Sequence, residues 1–176
     1  MTMKIRIVLT CLAAAAALLT GGAPAGASSQ SDLAKLRSSN NAFHNIARAE
    51  QGGFSVLADL KGITCIDMPG MGGMGVHWVK SKRVGDAAEH LTKPEAFVYA
   101  PRKDGTLKLA AVEYVVIKAD WDATHSSRPS LFGHRFNLTH AGNRFGLPSY
   151  YSLHVWAWKH NPAGTFAPWN PDVHCK

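Results

Sequence analysis

The stretch LKLAAVEYVVIK, residues 107–118, decides the fold class of this chain. In a β-strand, successive side chains point to opposite faces. One face of this stretch would carry Leu109, Ala111, Glu113, Val115 and Ile117, and the other Val112, Tyr114 and Val116. Both sets are almost entirely apolar, which is typical of a strand covered on both sides. The pattern predicts a central strand of a β-sheet.

Glu113 is the exception within that apolar pattern. A carboxylate in such a place is costly unless it is paired, hydrogen-bonded or bound to a metal. His77 in GVHWV and His154 in LHVWAW also stand inside apolar runs that predict strands. Two imidazoles and one carboxylate suit Zn²⁺ or iron and leave positions open for water or substrate. We therefore predict a divalent-metal or small-ligand site formed by His77, Glu113 and His154 on adjacent strands.

Other roles for Glu113 compete with metal binding. The residue would be structural if it joins a buried His–Glu hydrogen-bond network or pairs with Arg135. It would be a general acid or base without metal if burial raises its pKa. In the enzyme hypothesis, Glu113 is catalytic, and His134 and Arg135 assist it from a loop over the same end of the sheet.

The rest of the chain predicts an α+β fold. An amphipathic helix is expected from Ser31 to about Glu50, in one piece or in two with Asn40 or Asn41 capping the second. Further strands are expected at residues 54–60, 76–79, 96–100 and 150–158, with a hairpin turn at Asp104-Gly105 and long irregular loops at residues 66–75 and 120–148. The expected architecture is an N-terminal amphipathic helix packed on a largely antiparallel sheet or partial barrel with long loops.

The first 27 residues are typical of a signal peptide. Lys4 and Arg6 precede an apolar run at residues 7–20, which is too short to span a bilayer, and a small-residue cleavage pattern ends at Ala27. No later apolar stretch is long enough to cross a membrane. The sequence thus predicts that residues 28–176 form a single domain that is secreted or periplasmic.

Cleavage at that point would leave two cysteines, Cys65 and Cys175. They have neither CxxC nor metal-ligand spacing, and in an oxidising compartment such a pair most simply forms a disulfide. We expect this bond to tie the C-terminus to the first third of the chain.

Composition and charge narrow the function classes. Hydrophobic residues make up 46% of the chain and charged residues 18%, which excludes a disordered protein. The formal net charge is +7, but the basic residues are scattered, so no nucleic-acid partner is predicted. Mild attraction to anionic envelope polymers is compatible with this charge.

A tryptophan-rich segment, residues 156–171, lies near the C-terminal end of the chain. Its three tryptophans would form a platform for a sugar or another flat ligand, or cap the sheet while asparagine side chains organise the turns. The platform supports the alternative function: a non-catalytic extracellular or cell-envelope module that binds a small molecule or polysaccharide and contains a structural His–Glu network.

The stretch GMGGMG, residues 70–75, matches the GxGxxG pattern of dinucleotide-binding proteins. That pattern binds a pyrophosphate only between a strand and a helix. Here Pro69 precedes it and the β-like VHWV follows it, so we predict no nucleotide. The glycines instead predict a loop that allows close backbone approach.

Several blocks of the chain carry a resemblance. They include GMGVHWV at residues 73–79, AVEYVV at 111–116 and LHVWAWKHNPAGTF at 153–166. The combination resembles a group of small secreted proteins, mostly bacterial, that carries no established activity. The resemblance implies export and a single domain, and it implies no reaction.

Overall fold

The structure is a computed structural model that describes residues 25–175. The predicted signal peptide lies outside these residues except for positions 25–27. The helical elements are α1 (Ala25–Ser39), a 3₁₀ helix (Asn41–His44), α2 (Ile46–Gln51), α3 (Ser81–Val84) and α4 (Lys118–Asp122). The helices are short apart from α1, so the strands supply most of the framework.

Nine strands follow the first two α-helices along the chain. They are β1 (Ser55–Val56), β2 (Cys65–Met68), β3 (Gly72–Val79), β4 (Ala96–Pro101), β5 (Leu107–Ile117), β6 (Ser130–Leu131), β7 (His134–Arg135), β8 (Asn137–Thr139) and β9 (Tyr150–Val155). Seven of them form one antiparallel sheet in the order β1-β3-β4-β5-β9-β8, with β2 also paired to β3. The strands β6 and β7 form a separate hairpin.

The expected α+β class with a mostly antiparallel sheet is confirmed. Strand β5 lies inside the sheet between β4 and β9, as its two apolar faces indicated. The Asp104-Gly105 turn is also confirmed, because Gly105 adopts a φ of +84° and the Asp104 carboxylate accepts from the Thr106 N–H at 2.9 Å. Among the described residues the sheet stays open and does not close into a barrel.

Several elements differ from the sequence expectation. Only Ser55–Val56 of the predicted strand 54–60 forms a strand, and the predicted irregular stretch 120–148 contains β6, β7 and β8. The predicted irregular stretch 66–75 contains β2 and the start of β3, which form a hairpin. The predicted helix 31–50 is broken at Asn40, whose side-chain amide donates to the Leu36 and Thr92 carbonyls instead of capping a second helix. The cap of α2 is Asn45, which accepts from the Ala47 N–H at 3.0 Å.

One face of the sheet is covered by the N-terminal helices. Leu33 and Leu36 of α1 are buried in the same apolar cluster as Phe97 and Tyr99 of β4. The 3₁₀ helix adds Phe43, whose ring stacks on Phe97 with centroids 4.2 Å apart. This face forms the main hydrophobic core and leaves the opposite face of the sheet for other contacts.

A β-bulge in β5 changes which residues share a face. Val98 pairs with Ala111, and the next residue, Tyr99, pairs with Leu109, so Ala110 is an extra residue in β5. Its carbonyl instead accepts from the Trp158 N–H at 3.0 Å. The expectation that Leu109 lies beside Glu113 is therefore wrong. Leu109 belongs to the helix-covered core, because one inserted residue reverses the alternation.

The C-terminal segment lies against β3. The predicted disulfide is present between Cys65 and Cys175, at a sequence separation of 110. A loop of that length corresponds to about 4–5 kcal/mol of stabilisation in the chain-entropy model. Gly73 forms a β-bridge with Asn170, and a Cβ on Gly72 would lie 2.1 Å from the Asn170 carbonyl oxygen. The glycine-rich stretch thus permits close backbone approach, as its composition indicated.

We predict that Gly72→Ala destabilises the protein by several kcal/mol more than Gly70→Ala. Both glycines have a positive φ, so both substitutions carry the backbone cost of about 1–2 kcal/mol. A Cβ on Gly70 meets no atom within 4 Å, whereas one on Gly72 collides with the backbone of Asn170 and Pro171. Urea unfolding of both variants measures the difference, and equal losses would contradict a tightly apposed C-terminal segment.

Glu95 is a buried carboxyl group at the start of β4. It is 1% exposed, and its Oε2 accepts from the Val115 N–H at 3.0 Å. Burial raises the pKa of Glu95 to about 8. The group therefore holds a proton at neutral pH in the folded protein and ionises freely once the chain unfolds.

We expect this group to make stability fall as the pH rises. Its contribution is complete below the unfolded pKa of 4.5 and is lost as the pH rises through about 8, with a slope of about 1.4 kcal/mol per pH unit in between. Glu95→Gln keeps a neutral side chain at every pH. Urea unfolding between pH 5 and 9 should show a shallower decline for Glu95→Gln than for wild type, and parallel curves would refute the assignment.

Candidate metal centre

Glu113 and His154 face each other across two neighbouring strands. The β5–β9 register places Glu113 directly opposite His154. Side chains of such a pair project from the same face of a sheet. His154 Nδ1 lies 3.5 Å from Glu113 Oε1. This half of the predicted site follows from one cross-strand pairing.

His77 reaches the same place from farther away. It lies on β3, and β4 runs between β3 and β5, so the expectation of three adjacent strands is wrong for this residue. Within β4, Val98 pairs with His77, and Ala96 pairs with Glu113. The methyl side chain of Ala96 leaves space above β4, and His77 Nε2 lies 3.4 Å from Glu113 Oε2. The small residue on β4 is what permits the approach.

The three side chains are buried but poorly satisfied. His77 and His154 are each 2% exposed, and Glu113 is 9% exposed. Their N–O separations of 3.4 and 3.5 Å exceed the roughly 2.7–2.9 Å of charge-assisted hydrogen bonds. Both ring nitrogens of His77 and Nε2 of His154 have no hydrogen-bond partner among residues 25–175. Buried nitrogens without partners are costly, so the arrangement has unused binding capacity.

Electrostatics hold the group in a ligand-competent state. Burial lowers the pKa of His77 to about 4, so its ring is neutral at neutral pH. Burial by itself would raise the pKa of Glu113, but interactions with His154, His77 and Ser152 outweigh it and hold that pKa well below its usual range. The lowered pKa of Glu113 does not support the hypothesis of a general acid or base whose pKa is raised by burial. A neutral His77 ring and an ionised Glu113 carboxylate are the forms in which these residues bind metals.

The donor spacing suits a metal ion. One ligand atom from each of the three residues lies within 4.8 Å of the other two. Zn²⁺ bonds of about 2.0–2.2 Å place neighbouring donors of a tetrahedral site about 3.4 Å apart. The two N–O separations match that spacing, so the group is close enough to bind one metal ion.

An apolar cavity of about 300 Å³ opens beside Glu113. It is lined by Leu57, Val79, Ser81, Val84, Gly85, Ala96, Glu113, Val115, Phe145, Leu147 and Tyr150. Among these lining residues Glu113 is the only charged one. The carboxylate is thus the polar end of a largely hydrocarbon space, which we call the apolar cavity.

A second cavity of about 450 Å³ reaches Glu113 from another side. We call it the polar cavity, because it has more polar side chains than the first cavity, namely Asn137, Thr139, Asn143, Arg144 and Ser152. The rest of its lining is mostly apolar and includes Met68, Met74, Phe145, Pro168 and Trp169. It shares Glu113, Phe145 and Tyr150 with the apolar cavity. Glu113 therefore lies at the junction of the two cavities, whereas His77 and His154 line neither of them.

The loop at residues 140–147 forms a wall of both cavities. The Arg144 guanidinium binds the carboxylate of Asp59 at 2.8 Å. The backbone carbonyl of Arg144 accepts from the Leu60 N–H at 2.9 Å. The Asn143 amide donates to the Leu147 carbonyl at 2.8 Å. These contacts hold Phe145 in place beside Glu113.

The tryptophan-rich segment contributes Trp156 and Trp169 to the surroundings of the centre. Trp156 is buried, donates to the Ala167 carbonyl at 2.8 Å, and stacks near the His154 ring with centroids 5.7 Å apart. Trp169 lines the polar cavity, whereas Trp158 packs against the helix-covered core. The three rings thus have separate surroundings, and Trp156 caps the sheet face next to the centre.

His134 and Arg135 lie apart from the other predicted site residues. They form β7 and are exposed, and the His134 ring stacks on Phe166 with centroids 3.9 Å apart. The flanking Phe132 and Phe136 pack into the helix-covered core. The structure does not bring His134 and Arg135 to Glu113, so their catalytic role stays a prediction without support from their position.

Sequence reasoning missed the supporting residues of the centre. Ser152 hydrogen-bonds Glu113 and lies two residues before His154, so strand alternation alone could have placed it on the same face. Tyr150 shares that face for the same reason. Phe145 comes from a loop, and no pattern in the sequence indicates its position.

Comparison with known proteins does not add to this description. The chain matches no protein-family model, no curated protein and no solved structure. In the part of the chain that the structure describes, no helix has the length and apolar character needed to cross a membrane. The function must therefore be argued from the site.

Proposed function

We propose that this protein binds one divalent metal ion, Zn²⁺ or Fe²⁺, through His77, Glu113 and His154. The observation that carries the proposal is a buried set of donor atoms within 4.8 Å of one another that includes ring nitrogens without hydrogen-bond partners. A purely structural network would place such nitrogens in good hydrogen bonds. Metal coordination uses them directly.

The chemistry of the three donor residues limits which metal ions are suitable. Two imidazoles and one carboxylate form the ligand set of catalytic zinc sites and of non-haem iron sites, and both keep positions open. The backbone of Gly75 lies near the His77 ring but makes no hydrogen bond of good geometry with it. When one ring nitrogen binds a metal, the other would be free to donate to this backbone, and such a contact orients a ligating histidine. With open positions, the ion would polarise a substrate oxygen or activate water.

We propose that this metal-binding protein is exported from the cytoplasm. The disulfide between Cys65 and Cys175 fits an oxidising compartment. We propose that residues 28–176 act as one secreted or periplasmic domain after cleavage near Ala27. The partner that we propose for the centre is a small molecule, since cavities rather than an exposed surface lead to Glu113.

We expect the purified protein to bind one Zn²⁺ or Fe²⁺ per chain, as measured by elemental analysis and titration calorimetry after removal of metal with a chelator. His77→Ala, Glu113→Gln and His154→Ala should each weaken binding by at least about 100-fold, since loss of an outer-shell partner alone costs about 10–100-fold. His140→Ala removes an exposed histidine and serves as the matched control. It should bind metal like wild type.

Stability measurements separate metal binding from a structural network. Metal should raise the thermal midpoint of wild type and His140→Ala, because a ligand that binds only the folded state stabilises it. It should have little effect on Glu113→Gln. If wild type binds neither ion and the three site variants lose only stability, the group is a structural His–Glu network and the proposal is wrong.

A further inference from the structure

The two cavities beside the centre differ in chemistry. The apolar cavity is walled by aliphatic and aromatic side chains, with Glu113 as its charged end. The polar cavity offers hydroxyl, amide and guanidinium groups. A ligand beside Glu113 therefore meets hydrocarbon in one direction and a mixture of polar and apolar side chains in the other. This asymmetry defines the kind of molecule that fits.

The charge of the centre favours an anionic headgroup. Two neutral imidazoles, one carboxylate and a divalent ion carry a net charge of +1. The polar cavity adds donors to that charge: the Asn137 amide, the Thr139 hydroxyl and Arg144, which also binds Asp59. The Asn143 amide and the Ser152 hydroxyl are already engaged, with backbone carbonyls and with Glu113. Oxygen anions are the natural partners of such donors. A carboxylate bound there would occupy an open position of the ion.

The apolar cavity favours a hydrocarbon chain of limited length. Its volume is about 300 Å³, at the lower end of ligand pockets. Each buried methylene contributes favourable transfer energy. At about 30 Å³ for a group the size of water, the space holds at most about ten such groups, so a chain of about six to eight carbons would fill most of it. Val84 of α3 is one of the half-buried residues of its wall.

We propose that the metal centre takes a small amphipathic carboxylate, whose headgroup binds the ion beside the polar cavity and whose hydrocarbon chain fills the apolar cavity. The proposal rests on the proposed metal-binding function and names its ligand class. It assigns the apolar cavity to chain length and the polar cavity to the headgroup. The proposal concerns binding of the carboxylate and not a reaction of it.

The test uses a series of straight-chain carboxylates and the cobalt-loaded protein. Acetate, butanoate, octanoate and dodecanoate are titrated into protein that carries one Co²⁺ per chain. We expect affinity to rise by about fourfold per added methylene up to about six to eight carbons and then to level off. The visible absorption of Co²⁺ should change with each carboxylate, because the headgroup enters its coordination sphere.

Substitutions at Val84 test the apolar cavity. Val84→Phe narrows the space and should reduce octanoate affinity by at least about tenfold while leaving acetate affinity unchanged. Val84→Ala should move the plateau towards longer chains. Val56→Phe is the matched control, since Val56 is 42% exposed and lines neither cavity. It should leave the series unchanged.

The outcomes distinguish this inference from the metal proposal. If metal binds but all four carboxylates bind equally, the ligand class is wrong and the metal centre stands. If chain length matters but Val84→Phe has no effect, the apolar cavity is not the chain site and the inference fails. If no metal binds, the headgroup has no anchor, and both proposals are overturned.

Discussion

The burial of the Glu113 carboxylate is the constraint around which one face of this protein is organised. An isolated ionised carboxylate loses several kcal/mol on leaving water, so it persists only with compensating partners. The structure supplies His154 across one strand pair and His77 across two. The compensation is incomplete, because the separations are long and ring nitrogens remain unpaired. An ion would complete what the protein atoms leave unsatisfied.

The two faces of the sheet are covered in different ways. The helix-covered face packs large rings and aliphatic side chains, and its Tyr99 hydroxyl donates to the Phe43 carbonyl at 2.7 Å. The opposite face carries smaller residues at Ala96 and Ala111, and it is covered by loops and the C-terminal segment. Loops cover a sheet less completely than helices do, and this leaves the two cavities at Glu113. The main hydrophobic core and the candidate metal centre thus lie on opposite faces of the sheet.

The disulfide and the glycines serve the second face. Cys175 is bonded to Cys65 on β2, and Asn170 bridges to Gly73 on β3, so the last residues are fastened to the edge of the sheet. Val173 and Trp156 then form a small apolar cluster with Val98 and Ala100. That cluster lies on the site face of the sheet, and stacking between Trp156 and His154 links it to the centre.

The sequence by itself determined those features that depend on patterns within one short segment. Alternation identified β5 as a central strand, the Asp-Gly pair located its turn, and the isolated charged residues in apolar runs indicated His77, Glu113 and His154. The tertiary structure decided the rest: the insertion of β4 between β3 and β5, the bulge at Ala110, and the loop that brings Phe145 to the centre. Strand order and register depend on pairing between distant segments, so side-chain alternation within one strand cannot reveal them.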